Sequence, residues 1–99
     1  MLNMKKDLNG SDMLIALEGR LDTTTAPMLE SELKSSLNGI KDLVFDMALL
    51  QYISSAGLRV LLSAQKTMNK QGTMLVKNAS QDIKEVFDVT GFSDILTIE

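Results

Sequence analysis

Neither cysteine nor histidine occurs in the 99 residues. That double absence removes disulfides, thiolate chemistry, zinc sites of the usual ligand set and every triad built on an imidazole base. Only four residues are aromatic, one tyrosine and three phenylalanines, and acidic side chains outnumber basic ones 13 to 10 for a net charge of −3. So few stacking platforms and no basic footprint argue against nucleic-acid binding. Long apolar runs are missing too. The longest, Met13-Leu14-Ile15-Ala16-Leu17 between Asp12 and Glu18, is too short for a signal-peptide core or a membrane span. No membrane partner is expected, and the default location is the cytoplasm. Neither glycine-rich phosphate-binding pattern is present, so no nucleotide cofactor is expected, and weak nucleotide contact at a helix start, which attracts anions, is left open.

What is there reads as one soluble domain over residues 1–99. A hydrophobic fraction of 44% against 23% charged residues argues against disorder. No linker, repeat or low-complexity tract breaks the chain. The seven methionines suit irregular core packing better than a binding surface, because they are not clustered.

The order of elements follows from periodicity and punctuation. Leu2 to Leu8 alternates weakly, as an edge strand would, and Asn9-Gly10 is a hairpin signal that returns Met13 to Gly19 antiparallel beside it. Apolar residues on both faces of that second strand place it inside a sheet. A first helix starts near Thr25, its expected N-cap, with Pro27 tolerated in the first turn. Its stripe is Ala26, Leu29, Leu33 and Leu37, and Asn38-Gly39 ends it. A third strand covers Asp42 to Met47. A central helix carries Leu58, Leu61, Leu62, Gln65 and Met68 inward and Arg59, Ser63, Lys66 and Lys70 outward, and Gln71-Gly72 closes it. Met74-Leu75-Val76 is a short strand. Ser80 caps a third helix with Ile83, Val86 and Phe87 inward and Gly91 as its stop. Phe92 and Ile95 to Ile98 form a last strand or tail. One hairpin followed by helix-connected strands predicts an α/β fold with a mixed β-sheet.

The chain is organised around Leu49-Leu50-Gln51-Tyr52-Ile53-Ser54-Ser55-Ala56-Gly57-Leu58, read as a loop between the third strand and the central helix. Two adjacent serines sit where a helix exposes unpaired N–H groups and the positive end of its dipole, so a hydroxyl or an attached anion is stabilised there. Spacing alone favours capping over modification for these serines, and capping and turn chemistry for Asp22 and Thr23 to Thr25.

Four segments in register then resemble the STAS domain of bacterial anti-sigma factor antagonists: Glu18-Gly19-Arg20-Leu21-Asp22, Leu43-Val44-Phe45-Asp46, Tyr52-Ile53-Ser54-Ser55-Ala56-Gly57-Leu58 and Phe87-Asp88-Val89-Thr90-Gly91-Phe92. The resemblance spans nearly the whole chain. It implies a STAS-like domain, with helices packed on the sheet, that works as a partner-switching regulator of sigma-factor-dependent transcription. Its partners would be an anti-sigma factor that is also a serine kinase, and a serine phosphatase. Aligning Gly57-Leu58 with the family pattern puts the phosphorylation site at Ser55, with Ser54 second in the place of the family's aspartate. Partner-binding candidates carried over are Asp22, Thr23, Tyr52, Ile53, Ser54, Ala56, Gly57, Leu58 and Arg59.

Two rival readings use the same turn differently. A serine nucleophile would need the residue at Ile53 to be glycine and a base that the chain lacks, so an enzyme is not expected. A non-switching STAS scaffold, or an accessory subunit of a signalling or transport complex, would present the turn without modification. The free protein is expected to be monomeric.

Overall fold

The computed structural model describes residues 1–99. The elements are β1 (Leu2–Asn9), β2 (Asp12–Leu21), α1 (Ala26–Ser36), β3 (Asp42–Ile53), α2 (Ser55–Gln71), β4 (Thr73–Lys77), α3 (Gln81–Thr90) and a 3₁₀ turn at Phe92–Asp94. The sheet order is β1-β2-β3-β4, antiparallel at β1/β2 and parallel at the other two junctions. This is the expected α/β fold with a mixed sheet and an N-terminal hairpin. The C-terminal segment adds one parallel bridge, Ile98 to Val76 on the free edge of β4, so the last strand is reduced to a stub after the 3₁₀ turn.

The hairpin loop is Gly10-Ser11 between the paired Asn9 and Asp12, one residue later than the dipeptide signal suggested. Gly10 takes φ +63 at the first central position, where a two-residue hairpin turn of the II′ type favours glycine. β1 is an edge strand and is protected as one. Lys6 reaches across to α1, where its ammonium bonds Glu32 at 2.9 Å and Ser36 at 3.0 Å. A charge held on the core side of an edge strand discourages pairing with another chain.

Every parallel connection steps the same way across the sheet. Right-handed crossovers that never reverse direction put their helices on one face. The burial pattern agrees: Met13, Ile15, Leu17 and Leu21 of β2 are buried, while Leu14 on the other face is 37% exposed. β2 is therefore interior to the sheet yet covered on one side only, a correction to the two-sided burial its composition suggests. The 26 buried apolar residues form one cluster between the sheet and the helices. It includes four of the methionines, Met13, Met47, Met68 and Met74.

β3 is twice as long as its apolar run indicates. Its pairing with β2 slips between Ala16/Glu18, opposite Asp46/Leu49, and again between Gly19/Arg20, opposite Leu50/Tyr52. Each slip inserts an extra residue on β3, and an extra residue resets which side chains face inward. Leu43, Phe45 and Met47 are buried at the regular spacing of two, then Leu50 and Ile53 at spacings of three. Residues 49–53 are thus a bulged strand rather than a loop, and only Ser54 separates strand from helix.

The helices end largely as their capping residues dictate. Ser80 Oγ accepts the Ile83 N–H at 3.2 Å, and Gly91 closes α3 in the left-handed region at φ +81. Ile83 and Phe87 face inward as read, with Val86 half-buried. Gly72 closes α2 for another reason: a Cβ there would lie 1.7 Å from the carbonyl oxygen of Lys41. Close passage of two backbones, not a left-handed turn, demands glycine. No helix is long and apolar enough to cross a membrane.

Candidate functional site

The junction of β3 and α2 separates the roles of its two serines. Ser54 is the N-cap of α2, with extended backbone at φ −98 and ψ 175, and its Oγ accepts the Gly57 N–H at 3.4 Å. Its carbonyl accepts the Leu58 N–H at 2.9 Å, and its own N–H donates to the carbonyl of Leu21 at 2.9 Å. Ser55 is the first residue inside the helix and is exposed. The capping role that the spacing favours therefore belongs to Ser54. The hydroxyl of Ser55 is left at the surface beside the positive end of a 17-residue helix, where an anion is stabilised.

The neighbouring β2–α1 connection is built on Asp22. Its Oδ1 accepts the backbone N–H groups of Thr24 at 3.0 Å and Thr25 at 3.1 Å and the Thr24 hydroxyl at 2.8 Å. Thr25 is not the expected side-chain cap. Its hydroxyl is buried, donating to the Arg20 carbonyl and accepting the Asp22 N–H, both at 2.8 Å. Asp22 caps the turn instead, which is the turn chemistry favoured by composition. Thr23 stands exposed beside it.

The Thr24 hydroxyl holds the Asp22 carboxyl below the ordinary aspartate range; partial desolvation opposes this, and the amides of Thr25 and Thr24 add to it. A depressed carboxyl contributes stability above its unfolded-state pKa and loses it as pH falls through the folded value. Asp22→Asn should therefore lower the thermal midpoint at neutral pH. The gap to wild type should close as pH falls below about 4. Melting curves of both proteins across that range check the sign, and a gap that widens in acid would contradict it.

Tyr52 and Arg20 are paired in the β2/β3 register, and the guanidinium lies 4.2 Å from the tyrosine ring centroid. Arg20 Nε is also 3.8 Å from Asp22 Oδ2. The Asp22 turn, the Tyr52 ring and the start of α2 are tied together by the Leu21–Ser54 backbone bond. Arg20 was not among the expected site residues. Only its place in the segment Glu18 to Asp22 that carries the family resemblance points to it, because a contact across two strands leaves no mark on either strand alone.

Three residues expected at the partner surface face inward instead: Ile53, Gly57 and Leu58 are buried. The second bulge turns Ile53 into the core, and helical periodicity places Gly57 and Leu58 on the face of α2 against the sheet. They shape the turn from beneath. Ala56 is half-buried and Arg59 exposed. Gly57 permits the close approach: a Cβ there would meet Leu21 Cγ at 2.8 Å and Ile53 Cγ1 at 2.9 Å, both on buried side chains. Gly57→Ala should cost about 1–3 kcal/mol through overpacking. Chemical denaturation would measure it, and an unchanged midpoint would show that Leu21 and Ile53 yield freely.

No group of three or more His, Cys, Asp or Glu side chains is placed to hold a metal ion. A family model described as the STAS domain matches residues 3–99. The anti-sigma-B factor antagonist of Bacillus subtilis is 31% identical over 98 residues, which cover 98% of this chain and 90% of that protein. BtrV of Bordetella bronchiseptica, named as an anti-sigma factor antagonist, is 38% identical over 89 residues, covering 87% of this chain and 77% of its own length. Among solved structures, the anti-sigma factor antagonist SpoIIAA in its unphosphorylated form superposes with a TM-score of 0.85 at 15% identity, over 98% of this chain and 88% of that one. The phosphorylated form of SpoIIAA from Bacillus superposes at 0.77 and 15% identity, over 98% and 91%. Identities this low speak for the fold, whereas the family match and the B. subtilis relative extend over nearly every residue. This chain belongs to the STAS domain family.

Proposed function

We propose that this chain is an anti-sigma factor antagonist that acts by partner switching. Unmodified, it binds an anti-sigma factor that is also a serine kinase, which frees the sigma factor for transcription. Phosphorylation of Ser55 by that kinase releases the complex, and a serine phosphatase restores the binding form. Residues 1–99 act as a single domain in the cytoplasm, monomeric when free, with no cofactor and no catalysis of their own. Asp22, Thr23, Tyr52, Ser54, Ala56 and Arg59 contribute to the docking face, and the buried Ile53, Gly57 and Leu58 hold it in shape.

The observation that carries this reading is the division of labour at the turn. Ser54 is committed to capping, while Ser55 is exposed with its neighbours already arranged. A phosphate there adds about −1.5 to −2 charges and three acceptor oxygens, taking the chain to about −5. Helix-terminal amides tolerate that charge, so the fold survives the modification. The family's aspartate before the acceptor is replaced by Ser54, so the loop meets kinase and phosphatase with one negative charge fewer.

Incubation with ATP and the anti-sigma factor kinase encoded nearest to it in its own genome, followed by intact mass, tests the assignment. One phosphate should be added to wild type and to Ser54→Ala, and none to Ser55→Ala. Ser54→Ala should also lose about 1 kcal/mol of stability with its cap. Failure of every cognate kinase to modify the chain would favour the non-switching scaffold instead.

A further inference from the structure

We propose that the docking face does not stop at the Ser55 turn but continues down the helix-free face of the sheet along Tyr52, Arg20 and Leu49. The anti-sigma factor kinase meets this strip with an apolar ridge that carries a carboxylate opposite Arg20. This deepens the partner-binding reading and rests on it.

The uncovered face follows from topology, since all crossovers step in one direction and leave the other side of the sheet bare. Two register pairs on this face, Glu18/Leu49 and Arg20/Tyr52, separated by the inward-facing Gly19/Leu50, lead along it toward Ser55. The bulges of β3 that turn Leu50 and Ile53 inward also turn Leu49 and Tyr52 outward. Leu49 is 61% exposed and Tyr52 40%. Below Tyr52, Leu49 edges a hollow of about 510 Å³ lined on this face by Ala16 and Ala48 together with the polar Asn3, Lys5, Glu18 and Asp46. A partner's apolar side chain would seat against Leu49, Ala16 and Ala48, with its carboxylate kept on the Arg20 side, away from Glu18 and Asp46.

Arg20 gives the strip its chemistry. Its side chain is 52% exposed, and its separation of 3.8 Å from Asp22 is long, so the ion pair is weak and leaves guanidinium donors free. Stacking on Tyr52 holds the planar group in place before a partner arrives. A held guanidinium loses less entropy on binding a carboxylate than a free one, and Arg and Tyr are the residue types enriched at binding hot spots. Continuity selects the occupant. Leu21, next to Arg20, is hydrogen-bonded to Ser54, and a protein that covers Ser55 is already against Tyr52. A second copy of this chain would bring the same net charge of −3, which disfavours self-association.

The test measures binding of the full chain to the purified kinase by calorimetry at two salt concentrations, with melting curves for each variant. Arg20→Ala should weaken binding about 10-fold and flatten its salt dependence. Leu49→Asp should weaken it at least about 10-fold. Arg20→Lys should recover only part of the loss, because an ammonium does not keep the planar stack. Melting midpoints should stay near wild type in all three, which a merely structural role would not allow. Binding of Arg20→Ala and Leu49→Asp within about twofold of wild type would overturn the strip, while phosphorylation at Ser55 would leave the switch standing. Loss of wild-type self-association in these variants, seen by sedimentation with kinase binding unchanged, would assign the strip to a second copy and also overturn the proposal. If wild type neither binds the kinase nor is phosphorylated, the partner-switching reading itself fails.

Discussion

Once Ser55 carries a phosphate, affinity for the anti-sigma factor kinase is expected to fall by about 100- to 4000-fold. The magnitude comes from electrostatics at a desolvated contact. A partner packed over the start of α2 must strip water from the phosphate, and a buried charge without a partner costs about 3–5 kcal/mol, of which every 1.4 kcal/mol is a factor of ten. The exposed Ser55 hydroxyl leaves room for the phosphate in the free protein, so the penalty falls on the complex alone. Calorimetric titration of the two forms against the kinase measures it. Equal affinities would end the partner-switching account.

The backbone should hardly respond to that modification. Ser54 keeps its cap, and the Leu21–Ser54 hydrogen bond keeps the strand ends in register. Amide shift changes should therefore be confined to the start of α2, the Asp22 turn and the end of β3. Shifts spread over every strand would mean that the switch is conformational. Ser55→Asp should imitate the phosphate only in part, since a carboxylate has one negative charge and two oxygens.

The largest expected loss of stability comes from Phe45→Ala, about 3–5 kcal/mol. Phe45 is 0% exposed and sits midway along the sheet, paired with Ile15 on β2 and Val76 on β4, each also 0% exposed. Those three side chains form a row beneath the helices. Truncation leaves a cavity whose walls cannot collapse, because both flanking strands are fixed by their backbone hydrogen bonds. For a domain that is stable by about 5–15 kcal/mol, such a loss lowers the melting temperature by more than about 10 °C. Denaturant titration should show a lower midpoint with an unchanged slope. A loss under about 1 kcal/mol would mean that the sheet yields at its centre.

Much of this was written in short-range patterns. Asn9-Gly10, the stripes of Leu29, Leu33 and Leu37 and of Leu58, Leu61 and Met68, and the Ser80 and Gly91 caps each act within a turn or two of chain. Local propensity is enough to read them. The place of Ser55 at a strand-to-helix handover belongs to the same class. The length of β3 does not. Its apolar residues stop alternating after Met47, and the two bulges that rescue the pattern exist only because β2 lies alongside with fewer residues.

By itself, the amino-acid sequence determined the order of elements, the α/β class, the absence of imidazole and thiol chemistry and the helix start on which both serines lie. Tertiary structure decided which serine caps, because the extended backbone of Ser54 is held by the carbonyl of Leu21. It also drew the Thr25 hydroxyl away from its cap toward Arg20, turned Ile53, Gly57 and Leu58 inward, and laid Arg20 on Tyr52 across a face that no helix covers. Capping and periodicity act between residues a few positions apart, whereas each of those outcomes depends on a contact between strands or between a strand and a helix, whose register emerges only when the whole sheet is assembled.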